Sequence, residues 1–536
     1  MNKRIFAVVI AGTVVGLWML PIAAAAQACE SLTSLKLPAT TITSAEVIPE
    51  GPFAPPPPSQ PVPGPLAGGP LRVPSFCRVQ LTVAPQIRVE VWMPATGWNG
   101  KFEGVGGGGY AGIISYPAMA AALRAGYATA STDTGHAGGV ADGRFALGHP
   151  ELVIDFGYRA IHEMTVKGKQ IVEAFYGTAP REAYFVGCST GGRQGLAEAQ
   201  RYPDDYSGIV SGAPAIDWPH LLISGVWNAQ ATLKDPASYI PPTKLTAINE
   251  ATLAACDGTD GVKDGLVADG RQCKFDPSSL VCREGDSATC LTPKQAEALQ
   301  KIYTGPRSAD GKQIYPGRPP GVERGWDTFT TGSEPGQAAS LILGGAYLKY
   351  FVLQDANADP MAFDFATDMK KVDKDDKNIA ALQTFNANLK PFRDRGGKLI
   401  LYHGWGDDAI SPLNTINYFK MVVDKTTGGP KAADASAPED AAFQQAARKT
   451  GDFMRLFMVP GVNHCGGGPG PNTFDAVTAL SNWVEKKQPP DVLLGSHMTN
   501  GVADLTRPLC PYPQVAQYSG QGDVKDAANF SCTMPR

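Results

Sequence analysis

"EAYFVGCSTGGRQGLAEAQRYP", residues 182–203, carries the decision about the fold. EAYFVG reads as a short buried strand, and GLAEAQRYP, residues 195–203, as the helix after it. Between them Gly187-Cys188-Ser189-Thr190-Gly191 has the G-x-S-x-G pattern. A glycine-flanked serine alone is a solvated turn. Preceded by a strand and followed by a helix, it is a nucleophile elbow. The serine of such an elbow sits in strained backbone and its neighbours pack close, so the flanking positions must be small. The turn exposes the Ser189 hydroxyl, and the helix N-terminus behind it favours developing negative charge.

The same alternation extends in both directions. VQLTVAPQIRVEVWMPA (79–95) suits two antiparallel strands, GKFEGVGGGG (100–109) a strand entering a glycine loop, and AALRAGYATASTDTGH (121–136) a helix end and a strand. DFGYRAIHEMTVKGKQIVEAFYG (155–177) has helical periodicity and a terminal glycine. YSGIVSGAPA (206–215) reads as a strand. GKLILYHGWGD (397–407) and MRLFMVPGVNH (454–464) are hydrophobic strands ending in polar residues, and DAVTALSNWVEKKQPP (475–490) is an amphipathic helix. Strands alternating with helices predict an α/β fold with a mostly parallel central sheet. Between about 223 and 395 the pattern changes: four cysteines crowd into 256–290, and Gly, Pro and Asp punctuate the rest. This predicts a core in two parts, 29–222 and 396–536, with 223–395 inserted between them. Residues 49–70, rich in Pro and Gly, read as an extended surface loop.

With 536 residues the chain exceeds the size of one simple core, and 43 % hydrophobic with 18 % charged residues is a globular composition. A net charge of −4 gives no electrostatic basis for binding nucleic acid or an anionic membrane surface. Lys3 and Arg4, the apolar run Ile5 to Leu20 and the small residues up to Ala28 predict a signal peptide over 1–28, hence a secreted protein, periplasmic or extracellular, with no membrane contact once it is removed. Ten cysteines in an exported chain imply disulfides, and no C-x-x-C pair points to zinc. Ten cysteines allow roughly nine hundred pairings, so their connectivity is open at this level. Nothing in the motifs calls for an organic cofactor, and the oligomeric state is not legible.

A serine nucleophile needs a base and an orienting acid, in the chain order Ser, Asp or Glu, His for this fold. Downstream lie His220, His403, His464 and His497. His464 leaves a hydrophobic strand in MVPGVNHCGGG, followed by glycines that let the chain turn, and is the expected base. His403 ends LILYHGWGDD and reads as loop-shaping, with Asp407 or Asp408 as the acid. The oxyanion donors are expected to be the N–H of Thr190 and that of Gly108 or Gly109 in GVGGGGYAG, residues 104–112.

GCSTGGRQG, YHGWGD and VPGVNHC together resemble the tannase and feruloyl esterase family of α/β-hydrolases, which includes hydrolases of mono(2-hydroxyethyl) terephthalate, over nearly the whole mature chain. The resemblance implies the α/β-hydrolase fold with a large inserted lid, and Asp407 as the acid with Asp408 as the fallback. It implies a disulfide between Cys188 and Cys465, the neighbours of nucleophile and base, and the further pairs Cys29–Cys77, Cys256–Cys273, Cys282–Cys290 and Cys510–Cys532. It also implies a structural calcium ion in the lid. The matching stretch is CDGTDGVKDGLVADGRQC (256–273), with Asp257, Asp260 and Asp264 as carboxylate ligands and Val262 and Leu266 as carbonyl ligands. Clustered acids repel unless a cation sits among them.

The expected function is therefore a secreted serine hydrolase of small aromatic esters: galloyl, hydroxycinnamoyl such as feruloyl, or terephthalate monoester. Trp326 in ERGWDTF and the aromatics of GGAYLKYFVLQD (344–355) are candidate ring clamps, and Arg324 is a candidate partner for a free carboxylate. A peptidase on the same fold and a non-catalytic binding protein are the rival readings.

Overall fold

The computed structural model describes residues 28–57, 70–428 and 439–535, so the expected signal peptide lies outside the described residues except for Ala28. Nine strands form the main sheet: β1 (Thr40–Ile48), β2 (Phe76–Val83), β3 (Ile87–Pro94), β4 (Lys101–Val105), β5 (Ala128–Thr132), β6 (Glu182–Cys188), β7 (Gly208–Gly212), β8 (Lys398–Gly404) and β9 (Met454–Val459). Their spatial order is β1-β2-β3-β5-β4-β6-β7-β8-β9. The first three pairings are antiparallel, and every pairing from β5 onward is parallel. This is an α/β-hydrolase sheet.

Alternation along the strands creates two apolar faces. Phe102, Phe185, Ile209, Leu399, Leu401 and Leu456 point to one, where they meet helix α2 (Ala160–Tyr176) and helix α8 (Pro412–Thr427) through Ile171, Ile416 and Phe419. Their sequence neighbours Tyr184, Val210, Ile400 and Phe457 point to the other, where Ala122 of α1 (Tyr116–Arg124) and Leu480 and Trp483 of α9 (Ala476–Lys486) cover them. Each such fully buried side chain stabilises the fold by about 1.5–3 kcal/mol. The parallel register matters more for function. Cys188 pairs with Gly212, Gly212 with Tyr402, and Gly404 with Val459. The loops after β6, β8 and β9 therefore leave the sheet at one edge, where ligands of open parallel sheets bind.

From β7 to β8 no strand joins the main sheet among the described residues. Helices α4 (Trp218–Leu233), α5 (Pro242–Cys256), α6 (Pro293–Thr304) and α7 (Ala339–Ala346) occupy this span. α4 runs across the expected boundary at 222/223. Ile240, Leu245, Ile248, Leu299, Ile302 and Trp326 form a core of their own there. A second cluster joins Trp218, Leu222, Tyr347 and Phe351 to Tyr110 and Phe156 of the first core part, so the insertion is packed onto the sheet's loops.

Two expectations change. Within the Pro-rich stretch, Gly51–Phe53 pairs antiparallel with Leu71–Val73. A two-stranded ribbon accepts Pro52 because an unpaired edge needs no N–H there. The C-terminal part of the chain also does more than complete the core. The hairpin β10 (Leu493–Thr499) and β11 (Val502–Leu509) and the pair β12 (Val515–Tyr518) and β13 (Phe530–Thr533) lie outside the main sheet. Arg507 and Gln517 reach from them to Asp264 and to the Asp260 carbonyl of the insertion.

Candidate active site

Ser189 lies between β6 and helix α3 (Thr190–Arg201) with φ 63° and ψ −123°, a left-handed backbone that only surrounding contacts hold. Its N–H donates to the Gly212 carbonyl, and its own carbonyl accepts from Arg193 and Ala215. The elbow closes because its flanks are bare. A Cβ on Gly187 would lie 2.5 Å from the Gly191 backbone. The turn thus presents the hydroxyl at the sheet edge, with α3 behind it.

The loop after β9 brings His464 Nε2 to 2.9 Å from Ser189 Oγ. On its other side, Nδ1 is 2.8 Å from Asp407 Oδ2. The loop after β8 holds Asp407 through its other oxygen, which accepts from the N–H groups of Ala409 (2.9 Å) and Ile410 (2.7 Å). His403 shares Oδ2 with His464: its Nε2 is 3.0 Å from that oxygen and 3.2 Å from the Ile410 carbonyl, and its Nδ1 meets Thr415 Oγ1 at 2.8 Å. With two acceptors facing Nε2, His403 donates there to the acid loop and so helps to shape it. Burial alone raises the Asp407 pKa, but the charge of His464 and the donors His403 and His464 outweigh it and hold the carboxyl well below the usual range. Burial lowers the His464 pKa, and Asp407, with Asp408 adding its charge, reverses this, so His464 is a stronger base than an ordinary histidine. Asp408 is buried, makes no hydrogen bond to His464, and is pushed up to about 6 by burial and by Asp407.

Thr190 opens α3, so its N–H has no intrahelical partner. Gly108 is half-buried, and its N–H donates to no acceptor among the described residues. Cys188 and Cys465 are bonded, with Cα atoms 5.9 Å apart, so the bridge ties the elbow directly to the histidine loop. Cys29–Cys77, Cys256–Cys273, Cys282–Cys290 and Cys510–Cys532 are bonded as well.

The candidate clamp aromatics Trp326, Tyr347 and Phe351 are buried. Trp326 is 2 % exposed and packs against Tyr303, and Tyr347 and Phe351 are core residues. Arg324 is on the surface facing Glu250 at 3.6 Å, its side chain 62 % exposed, so it does not point into the site. The residue of this segment that meets His464 is Phe329, whose ring stands edge-on to it at 5.4 Å. Sequence reasoning missed it, although it lies three residues after Trp326 in the same loop. Thr330 beside it donates to the Asp408 carbonyl and fastens this loop to the acid loop.

The acidic lid loop closes on itself inside the Cys256–Cys273 bridge. Asp257 accepts from the N–H groups of Asp264 and Gly265, Asp260 from Val262, and Asp264 from Leu266, each at 3.1 Å. Arg507 donates to the second Asp264 oxygen at 2.6 Å. Burial, opposed by Arg507 and reinforced by Asp260 and Asp257, pushes Asp264 up to about 6. These side chains offer oxygen donors only, the type a hard divalent cation takes, and Arg507 already pairs with one of the three carboxylates. A different set, His162, Glu198 and Asp205, has side-chain ligand atoms all within 4.8 Å of one another. Burial, with Asp205 adding to it, pushes Glu198 well above the usual carboxylate range.

Among the described residues no helix is long and apolar enough to cross a membrane. The family profile described as "Tannase and feruloyl esterase" matches residues 71–533. The mono(2-hydroxyethyl) terephthalate hydrolase of Piscinibacter sakaiensis is 34 % identical, over 86 % of this chain and 85 % of its own. A probable feruloyl esterase of Arthroderma benhamiae is also 34 % identical, over 85 % of each chain. The crystal structure of feruloyl esterase B from Aspergillus oryzae superposes with a TM-score of 0.83 at 29 % identity, covering 94 % of this chain and 99 % of that one.

Proposed function

This chain belongs to the tannase and feruloyl esterase family of carboxylic ester hydrolases, and from that premise we propose that it cleaves esters of phenolic acids through an acyl-enzyme on Ser189. The observation that carries this reading is the position of His464, within hydrogen-bond reach of Ser189 Oγ at 2.9 Å and of Asp407 at 2.8 Å. Nε2 takes the hydroxyl proton as Oγ attacks the ester carbonyl carbon. The oxygen of the tetrahedral intermediate is met by the N–H groups of Thr190 and Gly108. The intermediate collapses, the C–O bond to the alcohol breaks, and Nε2 returns the proton to the leaving oxygen. Water then repeats the sequence on the acyl-enzyme and frees the acid. Asp407 accepts from Nδ1–H throughout, which keeps Nε2 free as the base and stabilises the imidazolium.

A hydroxycinnamoyl or galloyl group is favoured over a terephthalate monoester. Phe329 offers a ring edge beside His464, whereas Arg324, the arginine a free carboxylate would need, is engaged with Glu250 at the surface. Export belongs to the same reading, supported by five disulfides. So does a calcium ion on Asp257, Asp260 and Asp264 with the carbonyls of Val262 and Leu266. It would neutralise the crowded carboxylates and hold the loop, and it takes no part in the ester chemistry.

The test is a panel of methyl ferulate, methyl gallate, mono(2-hydroxyethyl) terephthalate and peptides, run on the wild type and on Ser189→Ala. The expected result is turnover of the phenolic esters, an acyl adduct on Ser189 by mass spectrometry, and loss of both in the folded variant. Preference for peptides, or turnover by Ser189→Ala within a few-fold of the wild type, overturns the reading.

A further inference from the structure

The two oxyanion donors stand on different parts of the chain, Thr190 on α3 and Gly108 in the loop after β4. That loop opens with four glycines, Gly106 to Gly109, which have no side chains with which to fix its shape. Side chains of α3 reach across to it. Gln194 Oε1 accepts from the N–H of Gly107 at 3.0 Å, and Thr190 Oγ1 donates to the carbonyl of Gly109 at 2.6 Å. Both residues are 1 % exposed. The peptide units between these anchors carry the N–H groups of Gly108 and Gly109, neither of which has an acceptor among the described residues. The Gly108 carbonyl is taken by the N–H of Ala111. The loop also lies against the elbow itself: a Cβ on Gly106 would come 2.5 Å from the Gly191 Cα.

We propose that the Thr190 hydroxyl and the Gln194 carboxamide are positioning residues that clamp the glycine loop at both ends and so aim the oxyanion donor between them. Thr190 then has two parts in the site: its main-chain N–H is one donor, and its side chain places the other. Both clamp groups ride on the helix that begins at the nucleophile. The distance from Ser189 to the second donor is therefore set through α3 and not through the pliable glycines. The inference rests on the reading of Ser189 as the nucleophile. Preorganised donors are worth most when they need not move as charge develops, and a misplacement of about 1 Å is enough to cost roughly 100-fold in rate.

Thr190→Val keeps the shape and removes the donor, Thr190→Ser restores the donor, and Gln194→Leu releases the other end. For each, kcat and KM are measured on methyl ferulate, melting temperature by calorimetry, and the affinity for benzeneboronic acid, which forms a tetrahedral adduct with an active serine, by titration calorimetry. Thr190→Val and Gln194→Leu are expected to lower kcat by about tenfold or more with KM within about threefold, and to weaken the boronate by a similar factor. Thr190→Ser is expected to recover most of the loss. Folded Thr190→Val and Gln194→Leu variants with kcat and boronate affinity within about twofold of wild type overturn the clamp. So does a loss in Thr190→Val that serine does not recover. If the wild type binds the boronate but hydrolyses none of the phenolic esters, boronate affinity alone decides the clamp and only the substrate reading fails. If it does not bind the boronate, the nucleophile reading falls and the clamp with it.

Discussion

Asp407→Asn separates the two adjacent acids and measures what the acid does. In the wild type, Asp407 Oδ1 accepts two main-chain N–H groups and Oδ2 faces two imidazoles. An asparagine keeps the main-chain bonds only by turning its oxygen toward Ala409 and Ile410. Its NH2 then points at the nitrogens of His464 and His403, donor against donor. His464 escapes by moving its proton from Nδ1 to Nε2, and then presents N–H, not a lone pair, to Ser189. Loss of the working tautomer costs about 10⁴-fold in kcat, or roughly 5–6 kcal/mol of barrier at about 1.36 kcal/mol per decade. The fold should survive, because the main-chain bonds persist and the lost donor–acceptor pairs cost on the order of 1–3 kcal/mol. The assay is kcat on methyl ferulate for Asp407→Asn and Asp408→Asn, well below melting temperatures determined for each. Asp407→Asn within about tenfold of wild type, or Asp408→Asn as the one that loses about 10³-fold or more, would refute the assignment of the acid.

Three further outcomes are expected. Removing the Cys188–Cys465 bridge with alanines should lower kcat as well as stability, the latter by about 5–6 kcal/mol in a chain-entropy account. Removing Cys282–Cys290, which closes a short lid loop, should cost stability with less effect on kcat, and equal kcat effects would mean the first bridge only staples the fold. Because Asp407 and Asp408 raise the His464 pKa above about 6.5 and the base works neutral, activity should fall as pH drops through a value above 6.5. Asp408→Asn removes one of those charges and should move this limb of the kcat/KM profile to lower pH, so an unmoved limb contradicts the argument. Stripping calcium with a chelator should lower the melting temperature, since a ligand of the folded state alone stabilises it by mass action. An unchanged melting curve after verified metal removal argues against the ion.

Much of the site is local and therefore legible. The strand–turn–helix around Ser189, the glycines that let it close, and the polar ends of β8 and β9 are properties of short stretches. Period and turn chemistry constrain a backbone over a few residues. The order of serine, acid and histidine follows from the order of the strands. The family resemblance carried the five cysteine pairs and the acidic loop, which spacing alone leaves open.

What the chain could not disclose is every contact made between distant segments. Asp407 and Asp408 are neighbours in sequence, and only the hydrogen bonds of the loop turn one toward His464 and leave the other buried near it. Trp326 and Phe329 are three residues apart in one lid loop, yet the first fills the lid core and the second reaches His464. Arg507 answers Asp264 across 243 positions, and Thr190 holds Gly109 across 81. Residue type and spacing limit which groups can bond. Which of them do is decided by how the sheet and insertion pack, because a side chain's partner depends on the position of the whole backbone and not on its neighbours in sequence.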